Sequence, residues 1–370
     1  MRVLHIQKVK GIGGSERHLL SLLPGLVEQG LDVRICVAAS GVANRFLERL
    51  RGTGVETVVV PAGPDLNPLL LAAVLREIRR FRPDVVHTHL IHADVHAQVA
   101  ARLLGVPRVS SVHGAHTYYR RSHYRIPGSG ASALADRVIA ISRYVRDLIA
   151  QRGLASPARI RVVHYGVDPD RWAAAGQRRQ AARATYGVEP GSVCVGIASR
   201  IVPGKGHGLL VEGARRALQR VPRLRLYVAG DGPLLEDVKR QARALPEGTV
   251  RFLGFIEDIS SFFAACDIVA LPTSPELGEG FGLAALEGMA AGRPVIATAV
   301  TSLPEVVTHG ESGLLVDPSD PDDMQRALVS LASAPKRREE MGRAGQLRAR
   351  TFFSIDAMVN RTLAVYREVR

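Results

Sequence analysis

Short apolar runs alternate with helix-period segments from one end of the chain to the other, and the alternation starts over once. The first series predicts strands at 3–6, 33–38, 57–60, 85–87, 108–112 and 137–141. Helices are expected between them at 17–29, 45–51, 69–81 and 97–104. After an irregular stretch at 168–190, a second series predicts strands at 192–198, 224–229, 250–252, 268–271, 294–297 and 313–316. Helices are expected at 207–219 and 232–244, with a helical tail from about 320. A strand that returns parallel to its neighbour needs a crossover, and a helix supplies one. The chain is therefore read as α/β, with two doubly wound domains, each a parallel sheet with helices on both faces. Ligands of such sheets lie beyond the carboxyl ends of the strands, so two domains facing across a cleft would share a site. The expected domains are 1–168 and 169–353, with the basic, polar tract 177–183 as an exposed linker.

The 370 residues are 46% hydrophobic and 23% charged, which excludes extended disorder and suits two cores. Lys and Arg number 49 against 35 Asp and Glu, a net +14. Such a surface favours phosphate-bearing partners: nucleotides, nucleic acid or an anionic membrane. Aromatics, at 5%, are too few to form stacking platforms for single-stranded nucleic acid. Cys36, Cys194 and Cys266 lie far apart in apolar runs, which gives no disulfide framework or zinc spacing and suits a reducing compartment. No signal peptide or 18-residue apolar stretch is visible. The expectation is a cytoplasmic protein whose charge allows peripheral contact with the inner face of a membrane.

Three segments carry chemistry. Gly11-Ile12-Gly13-Gly14-Ser15-Glu16 joins the first strand to the first helix. Its glycines allow a tight turn and close approach to a ligand at a helix N-terminus, where free amides favour an anion. A dinucleotide fingerprint would need glycine at 16, which argues against hydride transfer; a plain turn with Ser15 as N-cap is the structural alternative. Ser199-Arg200-Ile201-Val202-Pro203-Gly204-Lys205-Gly206 follows the first strand of the second domain. Arg200 offers a planar fork for phosphate oxygens and Lys205 a mobile point charge, although both also suit an ordinary solvated surface. Glu279-Gly280-Phe281-Gly282-Leu283-Ala284-Ala285-Leu286-Glu287 places glutamates eight apart around a Gly-rich helix start. The amides from Phe281 to Leu283 can donate to phosphate, and Glu287 can accept from paired ribose hydroxyls.

In this order, the three segments resemble those of the retaining, nucleotide-sugar-dependent glycosyltransferases of family four, which have the GT-B architecture. Gly230-Asp231-Gly232-Pro233, Phe252-Leu253-Gly254-Phe255, Gly166-Val167-Asp168 and Gly313-Leu314-Leu315-Val316 also match, and the likeness spans essentially the whole chain. The resemblance implies that Arg200 and Lys205 bind the donor diphosphate. Glu287 would hold the ribose, while Glu279, Phe281, Gly282 and Leu283 would contact donor sugar and phosphates. Ile256 would lie near the nucleobase, and Gly13 and Gly14 would approach the donor from the first domain. His113 matches the family's active-site histidine, and the helix at 354–370 would cross back to the first domain. Three departures stand out: Tyr165 where Asn is frequent, Thr301-Ser302 in place of a glycine pair, and Ser199 in place of Gly.

The reaction expected from the resemblance moves a hexose from a UDP- or GDP-sugar to a hydroxyl, with charge building on the departing diphosphate. Arg200, Lys205 and the helix amides supply the compensating field. The reading therefore needs no cofactor and no metal ion, with no Asp-x-Asp triplet as metal ligand. Four histidines (87, 89, 92 and 96) are read as a polar wall or ordinary packing rather than a zinc site. Tyr118, Tyr119, Arg120, Arg121 and His123 form a basic-aromatic loop that is either acceptor-facing or simply solvated. The Arg-rich first-domain face, including Arg76, Arg79, Arg80 and Arg125, suits an acidic lipid carrier in cell-envelope polysaccharide or glycolipid assembly. A soluble small-molecule or natural-product acceptor is the rival within the class. Outside it stand a nucleotide-sugar epimerase or a phosphorylase on the same architecture, and a nucleic-acid-binding protein, which lacks any recognition signature here.

Overall fold

The computed structural model describes residues 1–9, 11–39, 44–61, 67–114 and 133–370. The chain divides into two compact units, Met1–Gly166 with Ile355–Arg370, and Val167–Ser354.

The first unit is built on a seven-stranded sheet in the order β3-β2-β1-β4-β5-β6-β7. The strands are β1 (Arg2–Val9), β2 (Asp32–Ala39), β3 (Glu56–Pro61), β4 (Val85–His89), β5 (Arg108–Val112), β6 (Arg137–Ala140) and β7 (Ile160–Val162). Every pairing is parallel. The crossovers include α1 (Gly14–Glu28), α2 (Asn44–Leu50), α3 (Pro68–Phe81), α4 (Ile91–Leu103) and α5 (Arg143–Gln151). Alternation along β1 sends Leu4 and Ile6 into the core with α3 and α4, while Val3 and Val9 enter the core on the opposite face, with α1.

The second unit carries a six-stranded parallel sheet in the order β10-β9-β8-β11-β12-β13. Its strands are β8 (Val193–Ala198), β9 (Leu224–Ala229), β10 (Val250–Gly254), β11 (Ile268–Leu271), β12 (Val295–Thr298) and β13 (Gly313–Val316). Two helices precede the sheet, α6 (Pro169–Gln177) and α7 (Arg179–Thr185). Around it lie α8 (His207–Ala217), α9 (Leu235–Ala242), α10 (Ile259–Ala265), α11 (Leu283–Ala290), α12 (Leu303–Val306), α13 (Pro321–Ala332) and α14 (Pro335–Phe352). The last helix, α15 (Ile355–Val369), belongs to the first unit and packs on α1, where Gly25 has no room for a side chain: a Cβ there would lie 2.7 Å from Val359.

The fold corrects the expected irregular stretch and its exposed linker. Most of that stretch is α6 and α7, and although Gln177 and Arg178 are exposed, two of its arginines are anchored. Arg179 and Arg183 both pair with Asp267, at 2.7 and 3.0 Å, and Arg179 also donates to the carbonyls of Ala264 and Cys266 at the end of α10. A basic tract reads as solvated until its fixed acceptors are known. The first helix also begins earlier than expected. Gly13 is its N-cap, so Ser15 lies inside the helix, and the Glu16 carboxylate accepts from the Gly13 amide at 2.9 Å.

Candidate functional site

In each sheet the strand order reverses beside the first strand, between β1 and β4 and between β8 and β11. Loops that leave the carboxyl ends on either side of such a reversal diverge and open a crevice, the usual ligand site of this fold class. In the second unit those loops carry Lys205, after β8, and Glu279, after β11. Lys205 Nζ and Glu279 Oε1 lie 2.5 Å apart, with both side chains 16% exposed.

Close backbone packing brings them together. Gly206 has φ +73°, and a Cβ there would stand 1.7 Å from the Pro272 carbonyl oxygen; at Gly204, φ +84°, it would stand 2.5 Å from Leu277 Cβ. These glycines therefore admit the neighbouring loop rather than a ligand. Glu279 is fixed at several points. Thr273 Oγ1 donates to its carboxylate at 2.8 Å. Its amide donates to Thr301 Oγ1 at 2.9 Å, and its carbonyl accepts from the Thr301 and Ser302 hydroxyls at 3.0 and 2.9 Å. Thr301 holds φ 48°, a left-handed conformation that costs a β-branched residue energy. The Thr301-Ser302 departure thus has a use that a glycine pair does not supply.

Arg200, just beyond β8, is exposed and has no ion-pair partner among the described residues. Nearby, Ser199 Oγ and His207 Nε2 are 3.3 Å apart; burial, helped by the Lys205 charge, lowers the His207 pKa to about 4. Gly282 caps α11 at φ +90°, and the first amides of the helix, from Leu283, have no intrahelical acceptor by helix geometry. Glu287, further along α11, is buried to 8% exposure. The Phe281 ring is buried edge-on to Phe353, 5.7 Å between centroids, so its side chain belongs to the core and its backbone is the part that can meet a ligand, as its expected amide role requires. Ile256 is half-buried beside exposed Phe255, in the connection from β10 to α10.

In the first unit, Gly13 and Gly14 are exposed at the start of α1. The sheet face covered by α1 and α15 changes character along the strands. Val3 stands beside Val85, then His5 beside His87, then Gln7 beside His89, with Ser111 next to His89. His113 follows just past β5. Its ring is spoken for on both sides: Nε2 is 3.0 Å from His89 Nδ1 and Nδ1 is 2.6 Å from the Tyr165 hydroxyl. The Tyr165 departure thus has a partner in His113. His18 of α1 stacks on Tyr165 at 4.6 Å. Burial holds His5 and His113 at a pKa of about 3 and depresses His18, His87 and His89, so all five rings are neutral at neutral pH. Sequence reasoning missed His5 and His18, because single histidines on a strand and a helix carry no spacing signal.

A model of glycosyltransferase family 4 matches residues 12–171, and one of group 1 glycosyl transferases matches residues 191–334. The D-inositol 3-phosphate glycosyltransferase of Pseudarthrobacter chlorophenolicus is 31% identical over 370 aligned positions, covering 91% of this chain and 86% of that protein. The chain belongs to glycosyltransferase family four. It is therefore a glycosyltransferase, and each of its units has the doubly wound form of the GT-B fold. Among solved structures, Anabaena HepE in complex with UDP superposes with a TM-score of 0.87 at 22% identity over 100% of both chains. A glycosyltransferase from Rickettsia africae gives 0.87 at 18%, covering 100% of this chain and 98% of that one.

In this family-four enzyme the second unit brings Lys205 and Glu279 into contact, a pairing the sequence reading did not anticipate. The four expected histidines separate. His87 and His89 join His5, His18 and His113, whereas His96 of α4 accepts from the Asn67 amide at 3.0 Å. Two groups of imidazoles, His5–His87–His89 and His18–His89–His113, each offer nitrogens within 4.8 Å of one another, close enough to hold a metal ion. Two Asp-x-Asp triplets do occur, contrary to expectation, and both start helices. Asp168 accepts from the amides of Asp170 and Arg171, and Asp320 from that of Asp322. All three cysteines are free and buried. No described helix is long and apolar enough to cross a membrane. The basic-aromatic loop with Tyr118, Tyr119, Arg120, Arg121, His123 and Arg125 lies outside the described residues.

Proposed function

We propose that this enzyme transfers a hexose from a nucleoside diphosphate, with UDP as the favoured nucleotide, to a hydroxyl of a small soluble acceptor, retaining the anomeric configuration. The observation that carries the donor half is Lys205 held on Glu279 beside the start of α11, with exposed Arg200 on the same loop as Lys205. The bond from C1 to the diphosphate oxygen breaks while the acceptor oxygen bonds C1 on the same face. The acceptor's proton passes to the departing phosphate oxygen. Negative charge grows on the diphosphate, and Arg200, Lys205 and the first amides of α11 supply the field that stabilises it. Glu279 holds Lys205 in place and Glu287 accepts from the ribose. Charge from this chain's own side chains suffices in this reading, without a divalent ion.

HepE, solved with UDP and with UDP-glucose, supports the nucleotide. The D-inositol 3-phosphate glycosyltransferases among the relatives support a small phosphate-bearing acceptor. The net charge of +14 favours a second reading, an acidic lipid carrier or envelope polysaccharide at a membrane surface. An acceptor screen with inositol phosphates and with lipid-linked sugars, run with UDP-glucose as donor, separates the two. The expected result is UDP release with a soluble acceptor in the presence of a chelator, with the product anomer matching the donor. Arg200→Ala and Glu287→Ala should each lose most activity while staying folded; full turnover in either overturns the site.

A further inference from the structure

The first unit contains an unbroken chain of hydrogen-bonded side chains with a direction built into it. It begins at Ser111, whose Oγ is 2.7 Å from His87 Nε2. His87 Nδ1 is 2.6 Å from the Tyr366 hydroxyl on α15, which reaches His5 Nε2 at 3.4 Å. His5 Nδ1 is 3.0 Å from His89 Nε2, and His89 leads on to His113 and Tyr165 as described. Ser111, His87, Tyr366, His5 and His89 are at most 1% exposed, so no solvent interrupts the sequence of bonds.

A neutral imidazole carries one N–H and so donates on one side and accepts on the other. With every ring neutral, and with the single proton of the buried Tyr366 hydroxyl given to one of its two ring partners, the chain has two self-consistent arrangements, in which all bonds run one way or all run the other. Ser111 Oγ has no second side-chain partner among the described residues, so its buried proton has one acceptor, His87 Nε2. From that end each bond follows in turn, and each of the four rings bears its proton on Nδ1.

We propose that Ser111 and Tyr366, acting through His87, His5 and His89, are positioning residues that fix His113 as its Nδ1–H tautomer. His113 then donates to Tyr165, which leaves the Tyr165 hydroxyl proton for an acceptor other than His113. The last helix of the chain thereby helps set the state of a histidine that follows β5. Only the catalytic consequence rests on the reading of His113 as an active-site residue.

The test is nitrogen-15 NMR of histidine-labelled full-length protein, in which the two ring nitrogens report the tautomer directly. The expected result is Nδ1–H for His5, His87, His89 and His113. Ser111→Ala should redistribute the tautomer of His113, which it does not touch, and lower kcat about fivefold with KM for the donor unchanged. Tyr366→Phe breaks the chain at a second point and should do the same. An Nε2–H His113 in the wild-type protein, or a His113 indifferent to both substitutions, overturns the proposal. So does a stoichiometric metal ion on these rings in elemental analysis. If His113→Ala keeps full turnover, the catalytic reading fails while the tautomer result still stands or falls by itself.

Discussion

Lys205 and Glu279 form an ion pair at the strand-order reversal of the second sheet, 74 positions apart in sequence and 2.5 Å apart in space. A lysine kept in one place by a carboxylate is a fixed positive charge rather than a mobile one. In the proposed reading, a diphosphate arriving beside Arg200 meets that charge already oriented, with its side-chain entropy spent in folding.

Thr301 anchors the backbone of Glu279 from a strained conformation, so three substitutions should give three different results. Thr301→Ser keeps both hydrogen bonds and should keep activity. Thr301→Gly relieves about 1–2 kcal/mol of left-handed strain and loses two bonds of about 1 kcal/mol each, so stability should barely change. Turnover should nevertheless fall about tenfold as Glu279 loses its register. Thr301→Val keeps the strain and loses the bonds, and should be the least stable of the three. Urea midpoints and steady-state kinetics check all of these.

Gly206→Ala puts a methyl against the Pro272 carbonyl at φ +73°. Backbone cannot yield as a flexible side chain can. The expected cost is more than about 3 kcal/mol, with loss of donor binding because Lys205 is the preceding residue. Gly14→Ala, where nothing lies within 4 Å of the new Cβ, should fold normally. Thermal melts of the two variants distinguish a packing glycine from an open one.

Acid should destabilise the first unit before it protonates the histidine cluster. His5 and His113 titrate near 3 when folded and near 6.5 when unfolded, so the unfolded chain binds more protons between these values. Their contribution is complete above about pH 6.5 and is lost as pH falls toward about 3. At pH 5 each costs about 2 kcal/mol relative to neutral pH, with His18, His87 and His89 adding in the same direction. Denaturant midpoints at pH 7.5 and pH 5 should differ strongly, and a flat profile would show that the rings are solvated.

Most strands were legible because strand periodicity is local: β5, β9, β11 and β13 fall where the apolar runs place them, whereas β7, three residues long, is too short to leave a run and was missed. Arg200, Lys205, Glu279 and Glu287 were singled out because they stand in short segments with fixed spacing, and of these the structure brings Lys205 and Glu279 into contact. The histidine chain was not. His5 meets His87 only through the parallel register of β1 and β4, and Tyr366 joins them from the far end of the sequence. Arg179 and Arg183 were misread for the same reason, their acceptors being the end of α10 and Asp267. The glycines at 204 and 206 were recognised as necessary, but the atoms that fill the space beside them come from a loop some 70 residues on.

Titration calorimetry with UDP most directly tests whether the donor diphosphate docks on the second unit, against Arg200, Lys205 and the start of α11. Arg200→Ala and Lys205→Ala should each weaken UDP binding at least about tenfold, while His113→Ala, in the other unit, should leave it nearly unchanged. Wild-type affinity in both cation variants, with UDP binding lost instead in His113→Ala, would contradict the assignment.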